Sequence, residues 1–261
     1  MIRVGCAGWS LPRDLQPRFG AGASHLARYA SRLDAAEINS SFYRPHRRAL
    51  YEKWAAAAPA HFRFSAKLPK AITHERRLVA CDEALASFMA EVGGLGDRLH
   101  CLLAQLPPSL AFEAGVARRA RSGRSAAHAG ALACEPRHAS WFTPEAEALL
   151  RSFDIARVLA DPVLHAPGAW PGGWPGLVYL RLHGSPRVYY SAYPAEWLDR
   201  LARRIAQAEA EGAEVWCIFD NTASGAAVGN ALELRSLVRS EAAHPTRSGQ
   251  SIVRDDSNEG R

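Results

Sequence analysis

Short apolar segments alternate with longer segments of helical periodicity along most of this chain. Segment 2–7 is apolar and is followed by a helix-like segment at 25–33, and the same order recurs down the sequence. Alternation of this kind is typical of βαβ units, which build parallel sheets. The pattern predicts eight strands, at 2–7, 35–38, 62–66, 99–106, 129–134, 155–160, 177–182 and 214–219.

Helices are predicted after seven of these eight strands. The clearest start is at Thr143 and Pro144, where an N-cap residue precedes a proline at the first helical position. The sixth strand is followed instead by a loop rich in proline and glycine. The predicted helices lie at 25–33, 46–58, 81–92, 115–127, 143–153, 194–211 and 223–239.

Eight strand-and-helix units in roughly 250 residues are the expected content of a (β/α)8 TIM barrel. We therefore predict an α/β fold with a single barrel domain over residues 1–239. The polar segment 240–261 has no periodicity and is expected to be a disordered tail. A doubly wound open sheet is the alternative fold. No G-x-G-x-x-G motif follows the first strand, so no dinucleotide cofactor is expected.

Composition narrows the class of protein without identifying a partner. Of the 261 residues, 48% are hydrophobic and 22% are charged, which excludes a mainly disordered chain. No apolar run reaches the ~20 residues needed to span a bilayer, and the start lacks a secretion signal. We expect a cytoplasmic protein without a membrane partner. The five cysteines never form C-x-x-C and are expected to be small buried side chains, and a formal net charge of +6 identifies no ligand by itself.

The predicted carboxyl ends of the strands are unusually polar. In a TIM barrel these ends converge on one face, where the chemistry takes place. Charged groups beside apolar strands are costly unless they are paired or functional, and the opposite strand ends show no comparable set. The alternative is ion pairs that plug the barrel, such as Glu37 with Arg137 or Lys67 with Asp220. The strand-end residues are Trp9, Ser10, Glu37, Asn39, Ser40, Lys67, Gln105, Glu135, Arg137, His138, Asp161, Arg181, His183, Asp220 and Asn221.

Loops on the same predicted face combine aromatic and basic residues. Tyr43 and Arg44 follow the second strand, and Arg187, Tyr189 and Tyr190 follow the seventh. Phosphate oxygens bind to such cations and bases stack on such rings. The face therefore suits a nucleotide, another phosphate-bearing small molecule or a single-stranded nucleic acid.

Two further chemistries fit the acidic and histidine side chains of this face. They include the ligand types of metal-dependent phosphodiesterase barrels, so a divalent metal stays open as a cofactor, although H-E-x-x-H is absent. Two carboxylates on either side of a glycosidic bond could also cleave it, and Glu37 with Glu135 or Asp161 would be the pair. The cofactor is otherwise unknown.

The strand ends also carry motifs in a fixed order: G-W-S at 8–10, E-I-N-S-S-F-Y-R at 37–44, F-R-F-S-A-K at 62–67, I-T-H at 72–74, Q-L-P-P-S at 105–109, E-P-R-H-A-S-W-F at 135–142, L-R-L-H-G at 180–184 and F-D-N at 219–221. From about residue 3 to 237 the chain resembles the YecE-like family, domain of unknown function 72. The resemblance implies a TIM barrel and no particular reaction. Pro136, Ala139 and Asp220 depart from the residues usual in the family.

We predict an enzyme, a hydrolase or lyase of phosphoester or glycosidic bonds, that acts on a phosphate-bearing or nucleic-acid-derived substrate. The alternative is a nucleotide or single-stranded nucleic-acid binding protein without catalysis, and a sugar-processing enzyme comes third. The predicted acid–base groups are Glu37, Glu135, His138, Asp161 and His183. The predicted substrate-binding residues are Trp9, Asn39, Ser40, Tyr43, Lys67, Gln105, Arg137, Trp141, Arg181 and Asn221. Together with the acid–base groups, these are the residues that match the motifs of the family in the resemblance.

Overall fold

The computed structural model of the protein describes residues 1–115 and 130–243. Its strands are β1 Ile2–Ala7, β2 Ala35–Ile38, β3 Arg63–Lys67, β4 Leu99–Gln105, β5 Ala131–Glu135, β6 Ile155–Arg157, β7 Leu159–Asp161, β8 Gly172–Gly173, β9 Leu177–Leu182 and β10 Glu214–Phe219. Its α-helices are α1 His25–Tyr29, α2 Arg48–Ala57, α3 Asp82–Val92, α4 Pro144–Ser152, α5 Ala195–Ala210 and α6 Ala226–Ala243. A turn of π-helix, Ala71–Glu75, follows β3, and short 3-10 helices include Ser40–Phe42 and Ala139–Phe142.

The strands form one nearly closed barrel, which confirms the predicted fold class. Their order is β7-β9-β10-β1-β2-β3-β4-β5-β6-β8, and every pairing except that of β6 with the short β8 is parallel. From β1 to β6 the adjacent strands are consecutive in the chain, and β10 pairs with β1, as the last strand of a TIM barrel pairs with the first.

The sixth predicted strand is divided into two, β6 and β7. β6 pairs with β5, whereas β7 pairs with β9, and the Val158 amide between them donates to the Cys134 carbonyl. Strands in a closed barrel are tilted and staggered, so one strand meets its two neighbours over different stretches of its length. An apolar run at 155–160 cannot reveal that stagger.

Other bounds also differ from the predictions. α1 is shorter than predicted because the chain turns at Ala30 to bring Ala35 into the sheet. α6 runs on to Ala243, so the expected domain boundary at 239 falls inside this helix. Most of the helix predicted at 115–127 and the tail from 244 onward lie outside the described residues. Thr143 caps α4 as predicted, since its hydroxyl accepts from the Ala146 amide at 3.3 Å.

Alternate residues of the strands face opposite sides of the barrel wall. Tyr179 of β9, Trp216 and Ile218 of β10 and Leu103 of β4 form one buried cluster inside the barrel. The intervening residues, such as Leu180, pack against the helices. All five cysteines are buried and unpaired, as predicted. Within the described ranges no helix has the length and apolarity needed to cross a membrane.

A small polar cluster closes the amino end of the barrel, where the sequence predicted none. Glu214 lies 3.2 Å from Arg3 Nε and 2.6 Å from His100 Nε2, and it accepts from Trp216 Nε1 at 3.1 Å. Burial raises the pKa of the Glu214 carboxyl, but the contacts with His100, Trp216 and Arg3 outweigh it and lower the pKa to about 2. These residues lie within the strands, so a search of the residues before each strand misses them.

Replacing Glu214 should therefore make stability less dependent on acid. Its folded pKa is below the unfolded value of ~4.3, so its contribution is complete above that pH and is lost as the pH falls through about 2. Glu214→Gln should lower the free energy of unfolding by about 2 kcal/mol at pH 7 but by only about 1 kcal/mol at pH 3. Urea denaturation at the two pH values measures both effects. Glu52→Gln, in an exposed pair with Arg48, is the control and should cost under ~0.5 kcal/mol. An equal loss at both pH values for Glu214→Gln would contradict this account.

Candidate active site

A fully buried arginine lies at the centre of the carboxyl-end mouth of the barrel. Arg181 of β9 binds Glu37 with two hydrogen bonds, from Nε at 3.0 Å and from Nη2 at 2.8 Å. Its Nη1 donates to Glu135 at 2.6 Å, and its Nη2 also donates to Asp220 at 2.9 Å. All three guanidinium nitrogens are thus engaged with carboxylates from three other strands or strand ends.

His183 extends this network by one layer toward the mouth. Its Nδ1 lies 3.1 Å from Asp220 Oδ2, and its Nε2 lies 3.1 Å from Glu135 Oε1 and 3.2 Å from Arg137 Nη2. Burial alone would lower the pKa of His183, but the hydrogen bonds to Asp220 and Glu135 raise it above its ordinary value. The contacts with Asp220 and Glu135 therefore favour the protonated form of His183.

Glu135 and Asp220 are held in the ionised form. Burial alone would raise the pKa of Glu135, but Arg181, His183 and Arg137 hold it well below its usual range. The pKa of Asp220 is also lowered, chiefly by Arg181 and then His183, against the effect of burial. Carboxylates of this kind stabilise a neighbouring cation and are poor general bases at neutral pH.

Glu37 is held by Tyr179, from the interior of the barrel, as well as by Arg181. The Tyr179 hydroxyl lies 3.1 Å from Glu37 Oε2 and 2.7 Å from Ser65 Oγ, so a chain of hydrogen bonds crosses the barrel interior. Tyr179 and Ser65 were not among the predicted site residues. Tyr179 lies two positions before Arg181 on β9, and Ser65 lies two positions before Lys67 on β3. Because side chains two positions apart on a strand face the same side, this spacing could have predicted both residues from the sequence.

Lys67 ends β3 beside this network without joining its ion pairs. It is buried, its Nζ lies 3.2 Å from Asn39 Oδ1 and 4.0 Å from the centre of the Phe42 ring, and among the described residues no carboxylate oxygen lies within 4 Å of it. Burial and the nearby charge of Arg181 lower the pKa of Lys67 to about 8, although Glu37, Glu135 and Asp220 act in the opposite direction.

His74, outside the predicted set, is added to the site by its contact with Phe42. Its ring centre lies 5.0 Å from that of Phe42, and its Nδ1 lies 2.9 Å from the Thr73 hydroxyl. Burial, followed by the charges of Lys67 and Arg137, lowers the pKa of His74, so its imidazole is neutral at neutral pH. The I-T-H motif at 72–74 was the sequence signal for this residue.

Comparison with known proteins identifies the family. A family model described as "Protein of unknown function DUF72" matches residues 3–252. The chain belongs to the DUF72 family. The UPF0759 protein YecE of Escherichia coli K12 is 28% identical over 107 residues, which cover 41% of this chain and 38% of that relative. The resemblance seen in the sequence motifs is thereby confirmed.

Solved DUF72 structures share the fold. A family protein from Enterococcus faecalis V583 matches with a TM-score of 0.75 at 21% identity, covering 92% of this chain and 96% of that one. Another from Thermotoga maritima MSB8 gives 0.68 at 22% identity, covering 92% and 99%. A methyltransferase from Methanosarcina mazei still gives 0.51 at 8% identity, covering 92% and 94%. The fold of the DUF72 family therefore does not decide the reaction.

The predicted site residues divide into two groups in this DUF72 member. One group meets at the mouth: Glu37, Asn39, Lys67, Gln105, Glu135, Arg137, Arg181 and His183. Gln105 Nε2 contacts Glu135 at 3.4 Å, and Arg137 forms an ion pair with Glu135. Asp220, whose departure from the family pattern left its role open, completes this group through Arg181 and His183.

The second group forms local contacts in the surrounding loops. His138 Nδ1 accepts from the Ser140 amide at the start of a 3-10 helix, and buried Trp141 donates to the Leu110 carbonyl. Asp161 accepts from the Tyr193 hydroxyl at 2.8 Å, and Asn221 Nδ2 donates to the Ser191 carbonyl at 2.9 Å.

The other predicted members of the family set lie near β2 or at the surface. Trp9 packs edge-on against Trp54, the Ser40 hydroxyl lies 2.8 Å from His46 Nε2, and Tyr43 is 68% exposed. In the described part of the chain no group of three His, Cys, Asp or Glu side chains is arranged to hold a metal ion. Among the acidic residues of the metal hypothesis, Glu37, Glu135 and Asp220 contact Arg181, whereas Asp161 contacts Tyr193.

The two cations of the mouth should affect stability in opposite directions. Arg181→Met leaves three buried carboxylates without their partner and should lower the free energy of unfolding by about 3–5 kcal/mol. Lys67→Met removes a buried charge that no carboxylate contacts, so it should be neutral or raise that free energy by about 1–3 kcal/mol at pH 7. Urea denaturation of both variants against the unchanged protein measures the effects.

The pH dependence of Lys67→Met follows from the lowered pKa. The unfolded pKa is ~10.4 and the folded value about 8, so the cost of burying the ammonium is complete below pH 8 and disappears as the pH rises toward ~10. The gain from Lys67→Met should therefore shrink between pH 7 and pH 9.5. A loss of several kcal/mol at both pH values would show that the Lys67 charge stabilises the fold.

Proposed function

We propose that this protein is an enzyme, a hydrolase or lyase that acts on a phosphate-bearing substrate, either a small molecule or one derived from nucleic acid, at the mouth of the barrel. The observation that carries the proposal is that two cations of the mouth have unused binding capacity. Lys67 contacts no carboxylate, and the buried Nε of Arg137 has no hydrogen-bond partner in the described ranges.

An anionic group that enters the mouth would supply a partner to the Lys67 ammonium and to the exposed part of the Arg137 side chain. The Arg137 side chain is 18% exposed, so a ligand can reach it from the solvent side of the mouth, whereas Arg181 is committed to its carboxylates. A guanidinium binds phosphate with charge-assisted hydrogen bonds, and an ammonium adds a compact charge. Arg137 and Lys67 are therefore the anion-binding residues of the proposal, and Arg181 positions the carboxylates around them.

His183 is the proton donor of the proposal. Its raised pKa favours the protonated imidazole, and Asp220 and Glu135 fix its orientation. The edge of the Tyr189 ring lies against it, with ring centres 5.7 Å apart, in a loop whose residues are exposed. A substrate under this loop would meet a cationic acid, which suits protonation of a departing oxygen.

The arrangement favours an enzyme over a simple binding surface. Three buried carboxylates beside the anion-binding cations would weaken phosphate affinity through repulsion, which a protein selected only for binding would avoid. Ionised carboxylates do have a purpose when they raise the pKa of a proton donor such as His183.

Binding of nucleic acid without catalysis is the second candidate, and the exposed aromatic residues favour it. Tyr189 and Tyr190 are each 44% exposed, and the Arg187 guanidinium lies 3.9 Å from the centre of the Tyr190 ring. Exposed rings beside a cation are suited to stacked bases.

Titration with ribose 5-phosphate tests the first proposal. The protein should bind it in isothermal titration calorimetry, and Arg137→Met should weaken binding by about 10- to 100-fold because a charged hydrogen bond is lost. Arg203→Met, which removes an equally basic residue from an exposed pair with Asp199, should leave binding unchanged. Equal weakening by both variants would mean a response to net charge alone, and no binding would contradict the proposal.

Titration with a single-stranded oligonucleotide separates the second candidate. If the aromatic loop binds nucleic acid, Tyr190→Ala should weaken oligonucleotide binding but leave ribose 5-phosphate binding intact, and affinity should fall steeply between 50 and 200 mM salt. Affinity that does not change with salt, or with Tyr190→Ala, would exclude this candidate.

A further inference from the structure

Lysine is rare in this chain, and only one of its lysines is buried. The sequence contains 29 arginines but only 3 lysines, at positions 53, 67 and 70. Lys53 and Lys70 are exposed, and Lys70 forms a surface ion pair with Glu75. A chain that uses arginine for nearly every positive charge has a lysine at the end of β3, in the mouth of the barrel.

Anion binding alone does not explain a lysine at this position. Arginine binds phosphate through several directed hydrogen bonds, and it stays charged at any physiological pH. The property that lysine adds is an amine that can lose its proton, which then carries a nucleophilic lone pair.

The surroundings of Lys67 favour the neutral amine. No described carboxylate touches Nζ, Phe42 covers it on one side, and Asn39 offers only an amide oxygen. Burial and Arg181 lower the pKa of Lys67 to about 8, so about a tenth of the amine is unprotonated at pH 7, far more than for an exposed lysine. The charged groups that act on Lys67 from the neighbouring strands are Glu37, Glu135, Arg181 and Asp220.

We propose that Lys67 is a nucleophile that forms an imine with the carbonyl carbon of a phosphate-bearing aldehyde or ketone. The phosphate part rests on the function proposed above, and the imine part does not. The substrate class narrows accordingly to sugar phosphates and related carbonyl compounds, and the reaction class narrows to that of a lyase.

The chemistry balances without a cofactor. The Lys67 nitrogen attacks the carbonyl carbon, the π electrons move to oxygen, and that oxygen takes a proton to give a carbinolamine. The proton that nitrogen loses in this step passes to the oxygen by way of neutral His74 or solvent, and the carbinolamine keeps one N–H. Its hydroxyl then takes a proton from solvent and leaves as water while the nitrogen lone pair forms the C=N bond, which gives the protonated imine. Loss of the N–H proton to solvent gives the neutral imine, so one water is the only other product. In its protonated form the imine accepts electrons from a bond that breaks beside it.

Reductive trapping on the unchanged, full-length protein tests the imine. The probe is glycolaldehyde phosphate with sodium cyanoborohydride, and labelled positions are found by peptide mass spectrometry, which resolves Lys53, Lys67, Lys70 and the amino terminus. At pH 7.5 an amine of pKa about 8 is unprotonated on the order of 100-fold more often than an exposed lysine. Lys67 should therefore be labelled at least ~10-fold faster than Lys53 or Lys70, with a rate that rises around pH 8.

Unphosphorylated glycolaldehyde separates the two proposals. Faster labelling of Lys67 by the phosphorylated probe, suppressed by inorganic phosphate, supports both the imine and the anion site. Equal labelling of Lys67 by both probes supports the imine and contradicts the anion site. If neither probe labels Lys67 faster than Lys53, the imine proposal is overturned. The anion site is then tested separately by the ribose 5-phosphate titration.

Matched variants assign the label to the amine. Lys67→Arg keeps the positive charge and should abolish the site-specific adduct, whereas Lys53→Arg should leave it unchanged. Arg137→Met should remove the preference for the phosphorylated probe while glycolaldehyde still labels Lys67. An adduct of undiminished yield in Lys67→Arg would also overturn the proposal.

Discussion

The mouth of this barrel depends on one buried guanidinium. Arg181 is shared by Glu37 on β2, Glu135 at the end of β5 and Asp220 after β10, so a side chain on β9 ties together strands from around the barrel. Burying any one of these charges alone would cost several kcal/mol, and the network is viable only because each member satisfies the others. Because Arg181 and His183 engage most of the carboxylate oxygens, Lys67 has no carboxylate partner within the described residues and Arg137 is paired with Glu135 alone.

The sequence predicts the barrel well because its signals are local. Each of the eight predicted apolar segments contains a strand, although the short β8 lies in a segment predicted as loop, and the Thr143 N-cap could be predicted from two residues. The division of the sixth strand at Val158 was not readable, because it arises from the stagger that closes the barrel and depends on strands β5 and β9 far away in the chain. The observed helix ends differ from the predicted ones by a few residues for the same reason, because tertiary packing decides where the chain turns.

Strand ends predicted which side chains meet at the mouth where the strand itself determines the direction of the side chain. Glu37, Lys67 and Arg181 lie within strands, where the two-residue period fixes which side chains face the interior. His138 lies beyond a strand end, where a loop sets the direction, and its ring caps a short helix instead of entering the mouth. The same period places Tyr179 on the face of Arg181, but the sequence did not predict it as a site residue. A tyrosine in an apolar strand resembles an ordinary core residue, and only the structure shows that its hydroxyl donates to Glu37.

The same network that orders the mouth also determines the chemistry of Lys67. Arg181 repels the Lys67 ammonium, while Glu37, Glu135 and Asp220 attract it, and burial together with Arg181 outweighs the carboxylates, so that the pKa of Lys67 is lowered to about 8. Had the network lacked its guanidinium, three carboxylates would hold Lys67 charged and unreactive. Arg181 therefore does two things at once: it makes the buried carboxylates tolerable and it leaves the neighbouring amine partly neutral. In our proposal, a buried lysine that forms no ion pair within the described residues is accounted for by its reactivity.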